Sequence, residues 1–156
     1  RADAGRLMER HELLEREAAS WRALLAAVDR VPPERRTEPG VVPGWSVADL
    51  VWHCGVWADD AARRIELIST GGDPEPDWPD AAWRKMNDDA AEASKTMTWE
   101  EIVSRSEAAR ERVREAFASL SETASEGESE FVEETFEHYE EHTAEIERFA
   151  ATAASG

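Results

Sequence analysis

A single cysteine, Cys54, stands in the 156 residues, so the chain has neither an internal disulfide nor a cysteine-built zinc site. Lysine is almost as scarce: only Lys85 and Lys95 occur, and arginine supplies the other basic side chains. With 18 basic and 35 acidic residues the net charge is -17, and no Lys/Arg cluster is left to meet a phosphate backbone. That excludes nucleic acid as a partner. No apolar run approaches the roughly 20 residues of a membrane span. No signal-peptide pattern opens the chain, and a cytoplasmic protein is the expectation. Also missing is the Val/Ile/Thr alternation of half-buried strands.

What is present favours helices. Ala, Glu, Leu and Arg are abundant, and the length suits one domain, expected over residues 1–156. The first helical pattern runs from about Ala4 to Val31, with Leu7, His11, Leu14, Ala18, Trp21, Leu25 and Val28 at alternating steps of four and three, and Pro32-Pro33 ends it. After a turn-rich loop through Pro43-Gly44, Ser46 caps a second helix, with Asp49 placed to complete a capping box. Its inner stripe is Leu50, His53/Cys54, Trp57, Ala61, Arg64/Ile65 and Ile68. A loop carrying Trp78-Pro79 leads to a shorter helix near Asp80 to Lys95. Thr98-Trp99-Glu100-Glu101 is a second capping box, opening a helix whose buried side reads Ile102, Val103, Ser106, Arg110, Val113, Phe117 and Leu120. Ser121 to Ser129 reads as a loop, and the last helix as about Glu130 to Ala153. The long connection between the second and third long helices rules out a tight hairpin there. An all-α four-helix bundle results, its crossover carrying the extra short helix.

His138 and His142 stand four residues apart on the last helix, which stacks two imidazoles on one face. Both fall on the stripe Phe131, Thr135, His138, His142, Ile146, Phe149, the face expected to meet the core. Buried imidazoles need a partner, and a divalent ion is a good one. His53, on the core side of the second helix, is the best third ligand. Three neutral imidazoles leave coordination positions open, as a reactive site requires, and suit Zn or Ni among other metals. The bland alternative is an interfacial His53 and a satisfied surface pair. His11 is the spare histidine, better read as an ordinary helix residue. Cys54 points about 100° away from His53 on a helix and reads as a small buried side chain. Glu134, Glu141 and Glu145 lie within a turn of the pair, placed to orient the rings or take a proton; each alone reads as a solvated acid. Seven tryptophans are many for this length. Trp45, Trp52 and Trp57 surround His53, and Trp78, Trp83 and Trp99 fall in the crossover, which suggests an apolar pocket for an organic ligand.

Pro43-Gly44-Trp45-Ser46-Val47-Ala48-Asp49-Leu50-Val51-Trp52-His53 with Trp57 resembles the second-helix signature of the DinB-like (YfiT-like) metalloprotein superfamily. His138-Tyr139-Glu140-Glu141-His142 with Ile146 resembles its fourth-helix signature. Trp83 through Asn87 and the Thr98 helix start are similar to the branch holding the ClbS/DfsB self-resistance proteins. The resemblance implies an up-down-down-up bundle with a divalent metal on His53, His138 and His142. It also implies thiol S-transfer, isomerisation or hydrolysis on a small electrophile, with a thiol such as mycothiol as a candidate cosubstrate. The extra C-terminal domain of mycothiol-dependent maleylpyruvate isomerases is not matched. The expected substrate contacts are Trp45, Trp57, Trp83, Asn87 and Tyr139. The alternatives are a protein that sequesters a toxic ligand without turnover, and a metal-free bundle acting through a dimer interface. The expected partner is a small molecule, with neither nucleic acid nor membrane, and a homodimer is left open.

Overall fold

The computed structural model describes residues 2–74, 79–121 and 125–154, with the side chains of residues 2–8, 125, 153 and 154 outside that description. Leu7, Trp78 and residues 122–124 of the Ser121–Ser129 stretch thus lie outside the described side chains. Helix α1 spans Ala2–Asp29, α2 Val47–Ser69, α3 Asp80–Ser94, α4 Trp99–Ala118, α5 Ser125–Val132 and α6 His138–Ala154. A π-helical turn, Glu133–Glu137, joins α5 to α6. Among the described residues the only β pairing is an isolated bridge between Val42 and Trp45.

Both expected capping boxes form. Ser46 accepts from the Asp49 backbone N–H while the Asp49 carboxylate accepts from Ser46, and Thr98 and Glu101 do the same for α4. Each satisfies orphan amide donors and fixes where its helix begins, which sets the phase of every residue that follows.

Helices α1, α2, α4 and the α5–α6 rod form the bundle, and α3 lies against α2 in the crossover. Side-chain contacts give the directions. Between α2 and α4 they climb together, from Val51–Ser106 to Glu66–Arg112. Between α1 and α4 they run oppositely, Arg10 meeting Ala118 and Trp21 meeting Glu107. Close approach is built in at Gly55, where a Cβ would lie 2.6 Å from the Ser106 hydroxyl. Trp21, Leu24, Val28, Leu50, Val51, Ile102 and Ile146 fill one part of the core; Ala61, Ile65, Val113, Phe117 and Phe131 fill the other.

Three expectations shift. The buried face of α1 is Glu17, Trp21, Leu24 and Val28 rather than a seam through His11, which is exposed beside Glu15. The Ser121–Ser129 stretch is not all loop, because α5 starts at Ser125 and the last helix therefore begins five residues before Glu130. Ser and Glu look like loop residues, but here they supply the first turn, where acids are favoured by the helix dipole. The π turn was not foreseen either. It winds more residues into a turn, and Phe136 within it and Tyr139 just after it are both buried.

Candidate metal centre

The segment leading into α2 places the first wall of the site. Val42-Pro43-Gly44-Trp45 closes with the Trp45 N–H on the Val42 carbonyl at 3.0 Å, and Gly44 has φ 82°. Proline followed by a positive-φ glycine is the requirement of a type II turn. The turn lays Trp45 edge-on to the His53 ring, centroids 5.0 Å apart. Ser94 at the end of α3 donates to Asp49, tying the crossover to the start of α2. His53 follows one turn after Asp49, 6 % exposed.

His138 and His142 come from the first two turns of α6, immediately after the π turn, a device frequent at functional sites. The three rings meet through one atom each: the His53 and His138 Nε2 atoms are 2.9 Å apart, and the His142 and His138 Nε2 atoms also 2.9 Å. His53 and His142 are buried and His138 is half-buried.

The protons decide what this cluster is for. His142 Nδ1 lies 2.6 Å from the Glu145 carboxylate, which only accepts, so the ring proton sits on Nδ1 and Nε2 carries a lone pair. That lone pair faces His138 Nε2. With all rings neutral, His138 Nε2 can donate one proton or accept one, so it cannot make two good hydrogen bonds to both neighbours. No tautomer satisfies the cluster. A single cation between the rings satisfies all three lone pairs, and nitrogens 2.9 Å apart can each reach it at about 2.0–2.1 Å. Burial first, then the neighbouring histidines, pulls His53 down to about 2 and His138 to about 3, keeping both neutral as ligation requires. The donor set fits a divalent metal.

The cluster forms the floor of a cavity of about 350 Å³ between α2, α3 and the α5–α6 rod. Trp57 donates its indole N–H to Asn87 Oδ1 at 2.8 Å, and the Trp57 and Trp83 rings lie 5.0 Å apart. Of the expected substrate contacts, Trp57, Trp83 and Asn87 line this cavity. Trp45 instead braces His53, and Tyr139 points the other way, wholly buried and edge-on to Trp21 at 5.1 Å. Tyr139 stands four residues after Thr135 and three before His142, on the buried stripe itself, and it packs into the core instead of lining the cavity. Cys54 is buried, its thiol pushed well up by burial, and it is inert as a nucleophile.

Sequence reasoning placed Glu134, Glu141 and Glu145 within reach of the rings but read each as a solvated acid, and it did not single out Glu133 or Glu137. Glu145 is no solvated acid but the partner that fixes the His142 tautomer. Glu134 lies on the cavity wall, pushed up to about 7 chiefly by burial and then by the Glu130 charge. Glu133 and Glu137 share the wall, and their spacing with Glu141 on the histidine helix was the available signal. Among the described residues no helix is long and apolar enough to cross a membrane. A family model described as the DinB superfamily matches residues 18–151, spanning all three histidines. No curated protein and no solved structure matches the chain.

Proposed function

The chain belongs to the DinB superfamily, and from that premise we propose that it is a divalent-metal-dependent enzyme acting on a small electrophilic molecule. The observation that carries this reading is the convergence of three Nε2 atoms, with no satisfactory tautomer, on the floor of an open cavity. His53, His138 and His142 hold the ion, with Zn or Ni the metals expected. Bound there, it supplies a positive charge that lowers the pKa of a coordinated thiol or water and so yields a nucleophile near neutral pH.

The chain's own residues do the rest. Glu145 holds the proton on His142 Nδ1 and keeps Nε2 free for ligation. Trp57 occupies Asn87 Oδ1, which turns the Asn87 amide N–H groups toward an acceptor on the substrate. The Trp57 and Trp83 rings form an apolar wall and restrict water on that side. Glu134, with its carboxyl held near neutrality, is suited to take and return a proton on the cavity wall. S-transfer from a thiol such as mycothiol, isomerisation and hydrolysis all begin with this arrangement.

The test is turnover. Metal-loaded protein is mixed with excess epoxide or cyclopropane electrophile, with and without a low-molecular-weight thiol. Consumption past one equivalent per chain, lost in His142→Ala, is the expected result. Consumption that stops at one equivalent means the protein sequesters its ligand, and none at all in any thiol means the reading fails.

A further inference from the structure

The cavity over the histidines has an unusual electrical balance. Glu133, Glu134, Glu137 and Glu141 all line it, and among the described residues no Arg or Lys does. None of the four appears in an ion pair among the described residues. Arg64, whose charge reaches Glu134, is committed to Asp60 and Glu130. Arg84, the sequence neighbour of Trp83, is exposed and does not line the cavity. Even with Glu134 left aside, the three carboxylates of Glu133, Glu137 and Glu141 outnumber the two positive charges of a divalent ion and leave the mouth net anionic.

A second feature, independent of charge, points to a ligand at the same place. Trp83 is 46 % exposed, and among the described residues it is the only large apolar side chain so exposed. It sits on the cavity wall in ring contact with the buried Trp57. An indole left open at a cavity mouth beside unpaired carboxylates is the composition that receives an organic cation, which the ring face attracts and the carboxylates neutralise. A metal site meant for a carboxylate-rich substrate needs arginine or lysine to receive the other end of the molecule, and among the described residues none lines this cavity.

We propose that the substrate or cosubstrate of this site is an organic cation, an ammonium-bearing molecule whose charged end lies between Trp83 and the Glu133/Glu137/Glu141 rim while its reactive end reaches the histidines. The inference rests on the metal-site reading above. It disfavours carboxylate-rich thiols such as glutathione as the partner. The net charge of -17 draws the same class of molecule toward the protein at long range.

The test uses zinc-loaded full chain and three size-matched probes: benzyltrimethylammonium, benzyl alcohol and benzenesulfonate. The readout is the NMR shift of the Trp57 and Trp83 indole N–H groups. The ammonium probe is expected to move both resonances and bind about tenfold more tightly than the sulfonate, a difference near 1.4 kcal/mol. Its affinity should fall as salt is raised. The triple substitution E133Q/E137Q/E141Q should erase the preference while zinc content stays at one per chain. Equal or tighter sulfonate binding, no shift at either indole, or an unchanged preference in the triple variant would overturn the proposal. Zinc content, measured on the same samples, reports separately on the metal site: its absence sinks that reading and not merely the charge preference.

Discussion

Glu17 and His53 are both buried polar side chains in one bundle, Glu17 with no exposed surface and His53 with 6 %. Glu17 is answered completely. Arg110 grips it through Nε at 2.6 Å and Nη2 at 2.9 Å, and Arg114 adds a third bond at 2.6 Å. His53 is not answered. Its Nε2 meets another imidazole, and its Nδ1 has no partner, as is true of His138 Nδ1. Of four buried side-chain polar atoms without a hydrogen bond among the described residues, two belong to this cluster. A paired group that joins α1 to α4 is what a bundle needs for its architecture. The Nε2 lone pairs turned on one another at the cavity floor add a cost of about 1–3 kcal/mol per unsatisfied atom, and such a cluster persists where a ligand bound to those atoms relieves it.

The largest effect should come from breaking the paired region. Glu17→Ala removes the buried carboxylate that Arg110 and Arg114 share, leaving the buried Arg110 with Glu107 alone, and should cost about 3–5 kcal/mol in urea unfolding while metal content stays unchanged. Metal loss in that variant would mean the two regions are not separate. Glu145→Ala frees the His142 proton and should weaken metal affinity about 10–100-fold in competition with a chromophoric chelator; an unchanged affinity would return Glu145 to the solvent.

Glu134 sharpens the contrast through pH. Its folded pKa is raised from 4.5 to about 7, so the fold favours the protonated form. The stabilisation is complete below pH 4.5 and lost as pH rises through 7. In metal-free protein, Glu134→Gln should therefore gain about 2 kcal/mol over wild type between pH 5 and pH 8. A pH-independent difference contradicts the burial that raises it. Smallest of all, His53→Leu in metal-free protein should change stability by less than about 1 kcal/mol, because an unsatisfied ring is exchanged for an apolar one. A large loss would show that His53 is as structural as Glu17.

Much of the bundle could be read from the chain because local chemistry governs it. Ser46/Asp49 and Thr98/Glu101 announce two helix starts, and the α2 stripe through Leu50, His53, Trp57, Ala61 and Ile65 is buried as periodicity requires. The three histidines follow from the same rule. What stayed hidden depends on tertiary context. Glu17 looks like any acid until Arg110 and Arg114 arrive from α4, residues 93 and 97 positions away. The π turn has no signature in Glu133–Glu137, and Glu145, though within a turn of the pair, does not by itself tell a partner of His142 Nδ1 from a solvated acid.

The central claim is that the histidine cluster is a metal site, and metal content measures it directly. Untagged protein, incubated with divalent zinc or nickel and freed of excess, should hold about one ion per chain by elemental analysis, and His138→Ala should hold about none. Wild-type protein that stays metal-free, or a His138→Ala variant that keeps its full ion, would contradict the account.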